Sequence, residues 1–439
     1  MSKKLLFPFA FLFICTGSLR AQQGNPNNEL KIQNWSVTPI FSSLNRAWDV
    51  ERDASDNVIV FGGTNPMRII KYTPIGAALW IHTTSYTQSV GDLALDSAGN
   101  TYVTAGYDAS ITKVNAGGSL AYKTTNVPGI TYWALAASCK KNAIVLAYSD
   151  STKGGYLAYI DLATGALTNQ TKITGVKQDI RAICASPNGN YYLLTSDAGT
   201  NERVMGVDKN FGVLFDQPSL HNPSFSNTPL YSAGTQGYNG IAADMSFVYT
   251  NDGATLYKRD ISNGNSLGSV AIAGGTKDAN SGVWVDGCGN IFVGAANAVN
   301  KYTSSLVFVT NYNVAGAVYD ISGESSTNGE LAVCGNAFVA SIPTSACAAT
   351  TCSTTTSINE NELDETSIYP NPSNGIFTIK TSNNNEKQIS IFDVLGKLVY
   401  ETTTDTKDVV INTLNTERGI YFVRIISGSE VNTLRITLQ

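Results

Sequence analysis

Charge and histidine are both scarce in this 439-residue chain. Asp, Glu, Lys and Arg make up only 14% of it, against a usual ~25%. The net charge is −5 and no basic run occurs, which excludes a nucleic-acid partner, because phosphate binding needs clustered Lys and Arg. No acidic tail is present either. The two histidines, His82 and His221, have no nucleophile motif beside them, and GxSxG, HExxH and phosphate-cradling loops are all missing. No stretch reproduces the calcium loop with its terminal Glu. The chain has no apolar run of the ~20 residues that span a bilayer. These absences predict no catalytic residue, no metal, no cofactor and no transmembrane segment.

Ser, Thr, Asn, Gly and Tyr fill the deficit, a composition suited to turn-rich β structure. The first residues read as a separate signal for export. Lys3 and Lys4 form a positive region, Leu5 to Thr16 an apolar one, and Leu19-Arg20-Ala21 a cleavage site. Cys15 lies inside the apolar region behind bulky Ile14, unlike a lipobox. Six cysteines then remain: Cys139, Cys184, Cys288, Cys334, Cys347 and Cys352. An even count in an exported chain points to disulfides, and sequence proximity predicts the pairs Cys139–Cys184, Cys288–Cys334 and Cys347–Cys352.

The stretch Gly91 to Thr124 alternates apolar and polar residues between turns and reads as four short strands. It recurs. The turn ending in Asn repeats at Asn57, Asn100, Asn142, Asn190 and Asn290, with one further unit around Ser246. The first spacings of 43, 42 and 48 residues match a four-stranded propeller blade. Second strands align as NVIVFGG from 57, NTYVTAG from 100, NAIVLAY from 142, NYYLLTS from 190, SFVYTND from 246, NIFVGAA from 290 and GELAVCG from 329. The seventh unit lacks a fourth strand, while a strand-like segment, Leu30 to Val37, stands unassigned before the first. Lending it to the seventh unit closes the ring and covers an open edge. The prediction is a seven-bladed β-propeller over 22–345 with N-terminal strand closure; an open sandwich or solenoid is the alternative. Unit four carries a long loop between Asp216 and Gly240. The pattern Asp-x-x-Gly-Asn, then Tyr/Phe-Val-x-x-Gly, a Lys-bearing strand and Gly-Ser-Leu, resembles the bacterial β-propeller repeats grouped with NHL-type propellers. That resemblance implies a fold and no single activity.

Residues 346–366 read as a Ser/Thr-rich linker. From 367 to 439 strand-like segments return, enough for a small Ig-like β-sandwich, with Val394-Leu395-Gly396-Lys397 as a hairpin signal. YPNPSNGIFTI at 369, ISIFDVLGKLVYE at 389 and INTLNTERGIYFVRI at 411 resemble the type A C-terminal sorting domain of the Bacteroidota type IX secretion system. On that resemblance the motif residues are Tyr369, Pro370, Asn371, Pro372, Gly375, Asp393, Gly396, Gly419 and Tyr421. It implies the type IX secretion machinery and its surface sortase as partners, and the cell surface or the extracellular space as destination.

Asp53, Asp56, Asp96, Asp286 and Asp320 recur near turns, where they read as caps of the backbone. A propeller binds along its axis, where the first strands converge, and this places Trp48, Asp49, Asp92, Trp133, Arg181, Tyr238 and Trp284 at a candidate ligand-binding rim. Packing between blades is the competing use of these residues. The expectation is a secreted or surface-displayed propeller binding a protein or polysaccharide, more a binder than an enzyme. The alternatives are a polysaccharide lyase or glycosidase, and an adhesin or motility-associated surface protein.

Overall fold

The Gly- and Asn-rich turns bring consecutive short strands side by side, so each unit folds as an antiparallel meander, its middle strands such as Val58–Gly62 buried on both faces and its outermost, such as Ala78–Thr83, largely facing solvent. The computed structural model describes residues 35–347 and 367–439, except 40, 42–45, 88–90, 107, 139–142, 151–153, 177–178, 197–201, 221–238, 277–280, 324–328, 345, 348–366, 382–383, 395, 414–415 and 428–429. The leader, most of the linker, the body of the loop after Asp216, His221, Tyr238, Cys139 and Cys352 therefore lie outside the described residues.

Among the described residues, seven four-stranded sheets follow one another. Their innermost strands, blades 1 to 7 in order, are Ala47–Arg52, Asp92–Leu95, Thr131–Ser138, Asp179–Ala185, Ile241–Ala243, Val283–Val285 and Val318–Gly323. Six blades are contiguous in sequence. The seventh takes its outermost strand, Trp35–Val37, from the N-terminal side: Trp35 pairs with Ser341 and Val37 with Val339. Closure occurs as the unit count predicts.

The turn chemistry explains the recurrent Asp. In blade 2, Asp96 Oδ1 accepts the amides of Ala98 and Asn100 at 3.0 and 2.9 Å, and its Oδ2 accepts the Asn100 amide group. Asp53 and Asp286 do the same for Asn57 and Asn290. Asp320 is a correction. It lies within the inner strand of blade 7 rather than at a turn.

Two further repeat positions hold neighbouring blades together. The outer-strand Trp80 of blade 1 lies over Gly118 in the last turn of blade 2, where an added Cβ would sit 2.7 Å from the ring, and its indole donates to Ala116 O at 3.1 Å. Trp35 repeats this across the closure, over Gly76 and donating to Pro74 O at 2.8 Å. The lysine of the third strand reaches the same turn from the same face, Lys71 being the cross-strand partner of Trp80: Lys71 donates to Ala116 O, Lys113 to Leu162 O and Lys258 to Ser304 O. Lysine persists there because a long stem can cross to the next blade and end on carbonyls.

The cysteine pairing differs from the one proximity predicts. Cys288, in the first turn of blade 6, is bonded to Cys347, just past the last strand of blade 7, while Cys184 and Cys334 are free. Proximity fails because Cys184 lies on the inner strand of blade 4 and Cys334 is buried in blade 7 against Ala47 of blade 1, whereas the chain leaving blade 7 passes over the turn of blade 6. Asp286 accepts the Cys347 amide at 2.9 Å. The bond closes a loop with a sequence separation of 59, for which the chain-entropy argument gives about 4 kcal/mol. Peptide mapping of the oxidised protein should recover the Cys288–Cys347 crosslink, and reduction should lower the propeller's melting temperature; a Cys347–Cys352 peptide would refute the assignment.

Residues 367–439 form a sandwich of a three-stranded and a four-stranded sheet, around Phe377, Ile379, Ile389, Ile391, Val423 and Ile425. Asn371 pins the final strand Glu430–Leu438, donating to Arg435 O at 2.8 Å and accepting the Thr437 amide at 3.0 Å. Asp393 accepts the Lys397 amide at 2.9 Å and closes the hairpin, with Gly396 left-handed at φ 82°. Tyr421 is buried and donates to Glu417 O at 2.7 Å.

Candidate ligand site on the propeller axis

Four inner strands carry a bulge near their start, at Trp48, Trp133, Arg181 and Tyr319. A bulge inserts a residue and re-aims its side chain. Trp48 is buried and stacks on Tyr319 with centroids 5.7 Å apart and ring planes 13° from parallel, so it packs blade 1 against blade 7.

The residue after the bulge is Asp49 in blade 1 and Asp320 in blade 7, and Asp92 opens the inner strand of blade 2. Each gives an oxygen to the inner strand of the next blade: Asp320 to the Val50 amide at 3.0 Å, Asp49 to Leu93 at 2.6 Å and Asp92 to Leu135 at 2.6 Å. Three carboxylates thus join blades 7, 1, 2 and 3 around the axis. In blades 3 and 4 the position after the bulge is Ala134 and Ala182, and the series stops. Burial, and then the Asp92 charge, holds Asp49 well above the usual carboxylate range. Burial followed by the Asp49 charge does the same to Asp320, and burial lifts Asp92 to about 6.

Inside the ring lies a cavity of about 320 Å³ lined by the inner strands of all seven blades. At the end where those strands begin, Asn239 of blade 5 donates to Trp48 O of blade 1 at 3.1 Å, spanning the axis. Exposure rises towards the other end: Asp49, Asp92 and Asp320 are buried, Glu51, Ala185, Pro187, Trp284 and Gly323 are half-buried, and Ala137 is exposed. The mouth therefore lies where the inner strands end. Burial lifts Glu51 to about 7, and its carboxylate accepts a 2.6 Å hydrogen bond from Ser322. Trp284 closes on Gly323, where an added Cβ would lie 2.1 Å from the indole. The opposite wall, with Ala136, Ala137, Ala185 and Ala242, is apolar.

Of the residues read from sequence as a rim, Asp49, Asp92 and Trp284 line this cavity. Trp48 is used in packing, Arg181 stands in the blade 4 bulge away from the lining, and Trp133 sits in the inner strand of blade 3. Glu51, Ser322 and Gly323 were not singled out by sequence. Strand periodicity finds the first two, since each lies two residues after an axial Asp and on the same face.

One trio of described residues, Asp286, Cys288 and Cys347, brings three potential metal-ligand atoms within 4.8 Å of one another. Its two sulfurs are bonded together, and both Asp286 oxygens are bound to amides, so its chemistry is that of a turn lock.

A ring of four-stranded meanders around an axial cavity is a β-propeller. Residues 367–439 match the family described as the secretion system C-terminal sorting domain, so the chain is a propeller protein carrying a type IX secretion sorting domain, marked for the cell surface or the extracellular space. No helix among the described residues is long and apolar enough to cross a membrane. The WD40 β-propeller domain of Doa1 is similar over 70% of this chain and 95% of its own, at 12% identity and TM-score 0.50. A catalytically inactive virginiamycin B lyase from Staphylococcus aureus, in its structure with quinupristin, is similar over 70% of this chain and 98% of its own, at 10% identity and TM-score 0.52. A streptogramin B lyase is similar over 70% and 96%, at 11% identity and TM-score 0.51. These likenesses are of fold. Among curated proteins, the ulvan lyase NLR42 of Nonlabens ulvanivorans is 34% identical over 77 residues, 17% of this chain and 14% of the lyase. The match spans about one-seventh of that relative's length.

Proposed function

We propose that the exported propeller is a binding protein that takes one residue or chain end of an extracellular glycan or protein into its axial cavity, without turning it over. The cavity itself carries this reading: about 320 Å³, near the lower end for small-molecule sites, with a carboxylate and indole on one wall and alanines on the other. Two observations favour binding over turnover. Asp49 and Asp92 each engage a backbone amide of the next blade, and His82 lies on the outer strand Ala78–Thr83, far from the axis.

A second reading, a polysaccharide lyase or glycosidase, is favoured by the identity to an ulvan lyase and by Glu51, able to hold a proton near neutral pH. The 77 matched residues are about the length of the sorting domain rather than of a propeller, so they speak mainly for export. Screening the purified protein against glycan and cell-wall collections, with reducing-end and unsaturated-product assays, separates the two. Binding should weaken at least about tenfold in Ala137→Trp, which fills the mouth from an exposed position. Unchanged affinity would move the site elsewhere, and turnover abolished by Glu51→Gln would establish an enzyme.

A further inference from the structure

The four-stranded sheet of the sorting domain has one face in the core and one in solvent. Tyr421, Val423 and Ile425 of the strand Gly419–Ser427 point inward, and Ile420, Phe422 and Arg424 point outward. Register extends the outward set across the sheet: Leu398 pairs with Phe392, Phe392 with Phe422, and Phe422 with Arg435. Leu398, Ile420 and Phe422 are exposed, as is Val394 in the adjoining hairpin. The outer face of the other sheet also exposes apolar side chains, Ile376 and Val410, but register separates them: Val410, 66% exposed, pairs with Thr378 and lies between Asp408 and Asn412, and Ile376 pairs with Asn412.

A contiguous apolar row on a water-facing sheet marks an interaction surface. We propose that this row, Leu398, Phe392, Phe422 and Ile420 with Arg424 and Arg435 on its flank, is the face of the sorting domain that docks on the secretion machinery, against an apolar groove bordered by carboxylates. The inference rests on the sorting reading. Charge argues for the acidic border, since Arg435 and Arg424 occupy neighbouring positions of the outer face beside Phe422, and complementary charge steers encounter and fixes register. The motif fits the same use. Asn371 of Tyr-Pro-Asn-Pro holds the backbone at Arg435 and Thr437, fixing the strand that presents Arg435, so the motif serves as a brace for the docking face.

The test follows the full chain in a bacterium with a working type IX system, comparing protein at the surface and in the medium with protein retained in the cell. Phe422→Glu and Arg435→Glu should each cut export about tenfold or more, while Arg435→Lys and Val410→Glu stay within about twofold of the parent. Parent-like export of Phe422→Glu and Arg435→Glu, or an equal loss in Val410→Glu, overturns the proposal. If Phe422→Glu lowers the melting temperature of the purified chain, the decision rests on Arg435→Glu, whose side chain is exposed. A parent dimer that Phe422→Glu dissociates would assign the face to self-association and overturn docking. Export of a chain lacking 367–439 would instead remove the sorting reading itself.

Discussion

Removing the closing strand is expected to cost more stability than any single substitution in the propeller. A chain starting after Val37 leaves the strand Phe338–Pro343 with an unpaired edge, and it removes Trp35 from its seat over Gly76 and from Tyr72, 5.6 Å away between ring centroids. The side chain alone, by the range for large aromatic-to-alanine changes and allowing for its partial burial, contributes about 3 kcal/mol. Trp35→Ala should therefore lower the melting temperature by roughly 4–5 °C, the unfolding entropy of so large a propeller being high. The full deletion should go further and expose blade 7 to proteases, since unpaired edges and lost contacts favour local opening. Trp80→Ala is the comparison. It removes the same contact between blades 1 and 2, where the chain is continuous, so it should lower the melting temperature without the proteolytic opening. A deletion variant that melts within about 2 °C of the parent and resists protease would show that the closure contributes little.

Most of the ring was legible because blade-forming residues serve the fold and must recur. The turn Asp of blades 1, 2, 5 and 6 (Asp53, Asp96, Asp244 and Asp286) and the third-strand Lys of the same blades (Lys71, Lys113, Lys258 and Lys301) recur because they serve the turn and the contact with the next blade. Blade closure was legible for the complementary reason, a missing strand at one end and a spare one at the other. What lay hidden was spatial. The disulfide joins blade 6 to the segment after blade 7, and no spacing along the chain encodes that those places adjoin. The axial site was half-legible: the inner strands could be located, but bulges at Trp48, Trp133, Arg181 and Tyr319 decide which residue faces the neighbouring blade and which the cavity. Taking the neighbourhood of each inner strand placed Trp48 and Arg181 on the rim along with Asp49, Asp92 and Trp284; the structure keeps the last three in the cavity lining and adds Glu51, Ser322 and Gly323. In the sorting domain the motif residues were visible as a pattern, but their common task of holding the last strand needed the register between Asn371 and Arg435.

The axial carboxylates predict that the propeller grows less stable as pH rises from about 4 to above 7. Asp92 is lifted from 3.8 to about 6 and Glu51 from 4.5 to about 7, and Asp49 and Asp320 are raised as well, all chiefly by burial. A carboxylic acid whose folded pKa exceeds its unfolded one binds its proton more tightly in the native state. The stability this contributes is fully present below the unfolded value near pH 4 and is lost as pH passes through the folded value. A tenfold tighter hold on a proton is worth about 1.4 kcal/mol, so Asp92 or Glu51, taken alone, stands for roughly 3 kcal/mol between pH 4 and pH 8. Surface turn carboxylates such as Asp161 and Asp260 are lowered by their hydrogen bonds to Thr164 and Ser262 and act in the opposite sense at more acid pH. Maximum stability is thus expected near pH 4–5, with a decline through 6–7. Asp49→Asn tests the origin of that decline. The amide oxygen can still accept the Leu93 N–H, while the charge beside Asp92 and Asp320 disappears, so the variant should melt higher than the parent at pH 8, match it near pH 4.5 and show a shallower slope between. A parent whose melting temperature rises from pH 5 to pH 8, or an Asp49→Asn variant less stable at pH 8, would mean that the three carboxylates are held ionised by the amides they bind, and that the joints between blades 7, 1, 2 and 3 are charged ones.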